Sequence, residues 1–216
     1  MTATTRPAAL ALLLALSALV AFNAESKTTY SIDSAKSKIE IQVAKDGFFK
    51  AFGHDHLVSA TKFSGGVQLA AAKMEESSVS FAADADSLRV IDPGESEKDR
   101  IEVQATMLGE QVLDVARYPQ IQFSSSAIKL VSSSKNTFDL QVSGPLTLHG
   151  TQKPVTLPVH LQISDDGSIT CDTEISLLQS DFGITPYKAA GGAVKVKDKL
   201  KLTFHIVATK AASSAN

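Results

Sequence analysis

Strict two-residue alternation constrains this chain more than any other feature, and it is clearest near the end. Val194, Val196, Leu200, Leu202, Phe204 and Ile206 fall on one face, while Lys195, Lys197, Lys199, Lys201 and His205 fall on the other. Successive side chains of a strand point to opposite sides, so such a segment has one dry and one wet side. The pattern recurs at Ile39, Ile41 and Val43, and at Val79, Phe81, Ala83 and Ala85. It returns at Phe138, Leu140 and Val142, then along Val155, Leu157, Val159, Leu161 and Ile163, and finally along Ile169, Cys171, Thr173, Ile175 and Leu177. Strands wetted on one side belong to antiparallel sheet. Turn signals at Gly65-Gly66, 132–136, 150–154, 165–167 and Gly191-Gly192 cut the chain at short intervals. Many short, regularly punctuated strands predict a sandwich or barrel.

One segment departs from the period of two. Over residues 95–116, Ile101, Ala105, Leu108 and Val112 stand near helical spacing, and acidic residues cluster at the start. Acidic side chains there suit the positive end of the helix dipole. Gly109 can end a first helix, and a short second turn would stop before Tyr118-Pro119. A single helical excursion in an all-β chain predicts a cap on one end of a barrel.

The first two dozen residues read as an export signal. One positive charge, Arg6, precedes an uncharged apolar run from Ala8 to Phe22, with small residues after it. Cleavage after Ala24 is expected, with a cut after Ser26 as the second choice. The run is too short for a transmembrane helix, which needs about 20 apolar residues, so the expectation is a chain with no integral membrane segment once the signal is removed. Residues 25–209 then form one domain, and 210–216 a flexible tail. Losing residues 1–24 removes Arg6 alone among the charges and takes the formal net charge from −2 to −3. Such a balance gives no electrostatic case for nucleic acid. With a single cysteine, Cys171, an internal disulfide is excluded, and an apolar core must hold the fold instead.

The sequence resembles the YceI-like proteins, also called lipid- or polyisoprenoid-binding proteins. The resemblance runs from about Thr29 to Ala208. It is carried by YSIDSAKSKIEIQV, the opening strand, FSGGVQL at 63–69, ARYPQIQFSSSAI at 116–128 and SGPLTLHGTQKPVTLPV at 143–159. DFGITP at 181–186 and VKVKDKLKLTF at 194–204 complete it. It implies an all-β, lipocalin-like antiparallel barrel of about eight strands, exported to the periplasm, around an elongated apolar cavity. The implied ligand is a long isoprenoid chain such as that of a quinone or polyprenol, bound without enzymatic chemistry and without a cofactor. The chain departs from many relatives in one place. Where they carry Arg-Asp-x-His in the helical segment, it reads Val103-Gln104-Ala105-Thr106, and its histidines stand earlier, in Gly53-His54-Asp55-His56.

That GHDH stretch is the polar mark of the sequence. His54 and His56 are two apart, so in a strand both project to one face and offer a two-point bite for a divalent metal, short of the three or four ligands a site needs. The bland reading is a polar turn whose imidazoles hydrogen-bond backbone or a ligand head group, and it is favoured. Catalysis has little support: the chain lacks a Gly-x-Ser-x-Gly elbow, a second cysteine and a His-Glu-x-x-His pair. Phe48, Phe49 and Phe52 precede the histidines as a candidate aromatic gate. Together with His54 and His56, the candidate ligand-binding residues are Phe81, Ile101, Leu108, Val112, Phe123 and Phe204. A metal-dependent protein centred on His54 and His56 is the alternative, and a solidly packed barrel the third reading. Oligomeric state is left open.

Overall fold

The computed structural model describes residues 27–46, 55–189 and 194–212. The strands are β1 (Thr28–Ile32), β2 (Lys38–Asp46), β3 (His56–Ala60), β4 (Phe63–Leu69), β5 (Ser78–Asp84), β6 (Leu88–Val90) and β7 (Gln120–Ser124). After them come β8 (Ala127–Ser134), β9 (Thr137–Leu148), β10 (Thr151–Ile163), β11 (Ile169–Leu178), β12 (Lys188–Ala189) and β13 (Val194–Lys210), with one helix, α1 (Glu97–Leu108). Eight strands close a ring in the order β1-β4-β5-β7-β9-β10-β11-β13, because β1 pairs with both β4 and β13. All these strand pairings are antiparallel. Closure leaves the ring without an exposed sheet edge.

The long strand β13 explains the architecture. Its end pairs with β1 through Ala208, Thr209 and Lys210, while its earlier part pairs with β2 from Lys195 to His205. A second run, β2-β3-β6, therefore continues the wall from the same edge of β13 and forms one end of the molecule. Its last strand, β6, would present free backbone groups. Gln104 of α1 supplies them with partners: its Nε2 donates to Leu88 O and its Oε1 accepts from Val90 N, both at 2.7 Å. The helix thus substitutes for the missing neighbour strand.

Local chemistry sets the helix start. Ser96 Oγ accepts from Asp99 N at 3.2 Å and donates to Asp99 Oδ2 at 2.7 Å, a side-chain N-cap that satisfies an otherwise orphaned donor. Gly109 follows the last helical residue. The expected second turn forms without continuing the helix: 110–113 and 115–117 are turns on either side of Asp114, which has φ 43°.

Two apolar clusters hold the barrel. One gathers Tyr30, Leu69, Met74, Phe123, Leu140, Val142 and Ile169, and the other gathers Ile39, Val58, Leu88 and Val90 beneath Val103, Met107 and Leu108 of α1. Two further sequence expectations change. Gly65-Gly66 is no turn but lies inside β4, where a Cβ on Gly65 would stand 2.3 Å from Ser80 O. Gly144 in β9 is a second such close approach, its Cβ position lying 1.9 Å from Ser124 O. Lys210, assigned to the tail from the sequence, pairs with Tyr30, and Ala211 N donates to Thr29 O, so strand pairing runs past residue 209. The export signal expected at 1–24 and the Gly191-Gly192 turn lie outside the described residues. No helix among the described residues is long and apolar enough to cross a membrane.

Candidate functional site: an apolar barrel cavity with a polar mouth

The barrel is hollow. A cavity of about 580 Å³ is lined almost throughout by inward-facing aliphatic and aromatic side chains, within the range of small-molecule sites. Its wall follows β13 from Lys195 to Ile206. Eleven strand steps at about 3.3 Å, tilted by about 40°, give a length of roughly 25–30 Å. The space is therefore narrow and long.

Register builds the wall. Leu202 stands between Ile175 of β11 and Ile41 of β2, and Phe204 between Thr173 and Ile39. All six line the hollow. The candidates Phe81, Phe123 and Phe204 also reach it. Phe81 and Phe123 face each other across β5 and β7, and Phe204 meets Phe81 edge-on at 6.5 Å between ring centroids. Phe63 lies 6.0 Å from Phe81 on the other side. Such tilted and edge-on contacts suit the ring quadrupole. Cys171 lines the cavity as well; burial pushes its thiol up to about 12, so it is inert as a nucleophile.

The helix turns a different face inward from the one expected. Asp99, Glu102, Val103, Thr106 and Met107 line the cavity. Ile101 is 63 % exposed, and Leu108 packs on the cluster beside the cavity without lining it. The Gln104 latch to β6 fixes this rotation, and the helix is too weakly amphipathic for its own periodicity to report it. Val112, beyond the helix, does line the hollow. Phe48, Phe49, Phe52 and His54 lie outside the described residues.

Polar groups gather at the helix end of the cavity. His56 lines it, opening β3. Its Nδ1 lies 2.7 Å from Asp92 Oδ2 and 3.6 Å from Glu95 Oε1. Asp92 is buried, and its Oδ1 also accepts from Leu57 N. Asp55, between the two histidines, binds backbone instead, accepting from Lys45 N at 3.0 Å. Lys195, which also lines the cavity, pairs with Asp46 at 3.0 Å. The bulge that separates Val196 from Leu200 is held from outside: Asp198 accepts from Ser180 N at 2.8 Å and Ser180 Oγ at 2.6 Å. These bonds hold the Asp198 carboxyl below its ordinary range, the side-chain bond foremost. Sequence reasoning did not select Asp92, Glu95, Asp99 or Glu102. Asp92-Pro93-Gly94 reads only as a turn, and nothing local ties it to a histidine 36 residues earlier.

Comparison with known proteins agrees with the fold. Residues 30–208 match the family model described as YceI-like domain. The protein named YceI from Escherichia coli is 35% identical over 71 residues, 33% of this chain and 32% of that one. A UPF0312 protein of Pseudomonas syringae pv. tomato is 49% identical over 45 residues, 21% of each chain. These matches thus span a third or less of the curated relatives' own length. Among solved structures, Burkholderia cenocepacia BcnA is 26% identical with a TM-score of 0.63, covering 82% of this chain and 99% of BcnA. A polyisoprenoid binding domain from Saccharophagus degradans, at 14% identity and a TM-score of 0.59, covers 86% of this chain and all of that domain and shares the fold. An eight-stranded closed barrel, an α-helix latched to β6 and a family match across nearly all the described residues lead to one statement: the chain belongs to the YceI-like family.

Proposed function

We propose that this protein is an exported, non-enzymatic carrier that shields one long apolar lipid, of the polyisoprenoid class, inside its barrel. The observation that carries the reading is the narrow, apolar, roughly 25–30 Å cavity. A compact ligand would leave most of that length empty, whereas an extended chain fills it. Transferring each Å² of apolar surface from water contributes about 25 cal/mol, so a chain several isoprene units long binds by hydrophobic contact alone. Its polar end stays at the mouth, among His56, Thr106 and Lys195. The Saccharophagus degradans neighbour is a polyisoprenoid binding domain, and the shared fold supports the same ligand class here.

The test is purification of the protein from an osmotic-shock fraction of its native host, followed by N-terminal mapping and solvent extraction. The expected result is a chain starting at Glu25 or Lys27 with about one long-chain apolar lipid per protein, detected by mass spectrometry. Protein free of lipid that also fails to take up a fluorescent polyprenyl probe overturns the reading.

A further inference from the structure

The mouth holds a cluster whose charges do not balance on their own. His56 Nδ1, a carboxylate oxygen of Asp92 and one of Glu95 all lie within 4.8 Å of one another. The three side chains are only 21 %, 4 % and 12 % exposed. One Nδ1–H can serve one carboxylate well, and the 2.7 Å contact gives it to Asp92. Glu95 Oε1 is left at 3.6 Å, and Glu95 Oε2 is buried with no hydrogen-bond partner among the described residues. No lysine or arginine among the described residues pairs with either carboxylate. Burying a carboxylate is costly unless its charge is compensated, and orphaned buried polar atoms call for a specific cause.

We propose that His56, Asp92 and Glu95 form a binding site for a first-row divalent cation of the Zn²⁺ class at the mouth of the cavity. A dication compensates both carboxylates at once and gives Glu95 Oε2 a place in the ligand sphere. One imidazole nitrogen with carboxylate oxygens is a donor set for such a metal, whereas Ca²⁺ takes six to eight oxygens. Around a tetrahedral Zn²⁺, with bonds near 2.0–2.1 Å, ligand atoms stand about 3.3 Å apart. The 3.6 Å separation already fits, and the 2.7 Å one needs to open by about half an ångström. Three protein ligands leave a fourth position, and one of the three, His56, itself lines the lipid cavity. The site shares His56 with the His54–His56 bite considered from the sequence and takes its other partners from the segment before α1; His54 lies outside the described residues.

Metal binding here does not depend on lipid binding, so metal is titrated on both lipid-extracted and as-purified full-length protein. Calorimetry with ZnCl₂ should give one site per chain, and Glu95→Gln and His56→Gln should each weaken it at least tenfold. The double variant His160→Gln with His205→Gln removes the imidazoles of the exposed pairs with Asp139 and Asp172 and should leave affinity unchanged. In the wild-type protein, Zn²⁺ should move the imidazole nitrogen resonances of His56 but not those of His160 or His205. This second measurement is independent of whether any variant folds. Absence of a stoichiometric site, binding that survives Glu95→Gln and His56→Gln, or loss in the outer-face double variant overturns the proposal.

Discussion

Leu202→Asp places one carboxylate in the middle of the apolar wall, between Ile175 and Ile41. In the empty barrel the new side chain faces a hollow that water can enter, so the fold loses little beyond the leucine's own packing, about 2 kcal/mol. With a lipid in place the carboxylate loses that water, and no cation lies among its wall neighbours to pair with it. Desolvating an ion in a protein interior costs several kcal/mol. Taking about 4 kcal/mol, lipid affinity falls on the order of a thousandfold at neutral pH. The sign of the pH dependence follows from the same cost. Apolar surroundings disfavour the charged form and raise an aspartic acid's pKa, so the loaded variant binds a proton and its affinity recovers as pH falls. Leu202→Ala, which removes the same packing without a charge, should lose about tenfold at most. The assay is fluorescence titration with a polyprenyl probe at several pH values, with thermal unfolding as the check on folding. A Leu202→Asp protein that folds and keeps wild-type affinity at neutral pH would refute the placement of the ligand in this cavity.

Three further outcomes test the architecture. Gln104→Ala removes both bonds to β6, leaving Val90 N–H without its partner while Leu88 O keeps the bond from Arg89 Nη1; at about 1–1.5 kcal/mol per bond lost it should cost roughly 2–3 kcal/mol in denaturant unfolding, with hydrogen-exchange protection lost first at Val90. Gly144→Ala forces a Cβ into a position 1.9 Å from Ser124 O; since backbone must move, destabilisation should exceed about 2 kcal/mol, and an unchanged melting temperature would contradict the close approach of β7 to β9. Ser180→Ala should raise the Asp198 pKa toward its ordinary value, followed by carboxyl NMR titration, because the Ser180 bonds are what lower it. A depressed carboxyl stabilises above the unfolded value near 3.9 and loses that contribution as pH falls through the folded value, so the acid side of the stability profile should flatten in the variant.

The strand pattern carried most of the fold because alternation is a local consequence of backbone geometry. A sequence that reads Leu200, Leu202, Phe204 and Ile206 against Lys199, Lys201 and His205 has already chosen its dry face. Phe81, Phe123 and Phe204 were legible as lining candidates for the same reason, and all three reach the cavity. The helix was legible as a helix, but its rotation was not. Ile101 carried the apolar signal yet faces solvent, since the orientation is set by Gln104 bonding a strand edge 14 and 16 residues away. Gly65 misled in the same way: a glycine pair looks like a turn from sequence, and here it marks a place where two strands press together.

By itself, then, the sequence determined which side chains face inward and that the strands must pair in antiparallel fashion, because both follow from the two-residue repeat. Only the tertiary structure decided that the ring closes on eight strands, leaving a narrow hollow instead of a packed core, because closure depends on β1 reaching both β4 and β13. Tertiary structure likewise decided the company His56 keeps. Asp92 and Glu95 arrive there through the pairing of β3 with β6, a long-range contact that no spacing in the chain encodes.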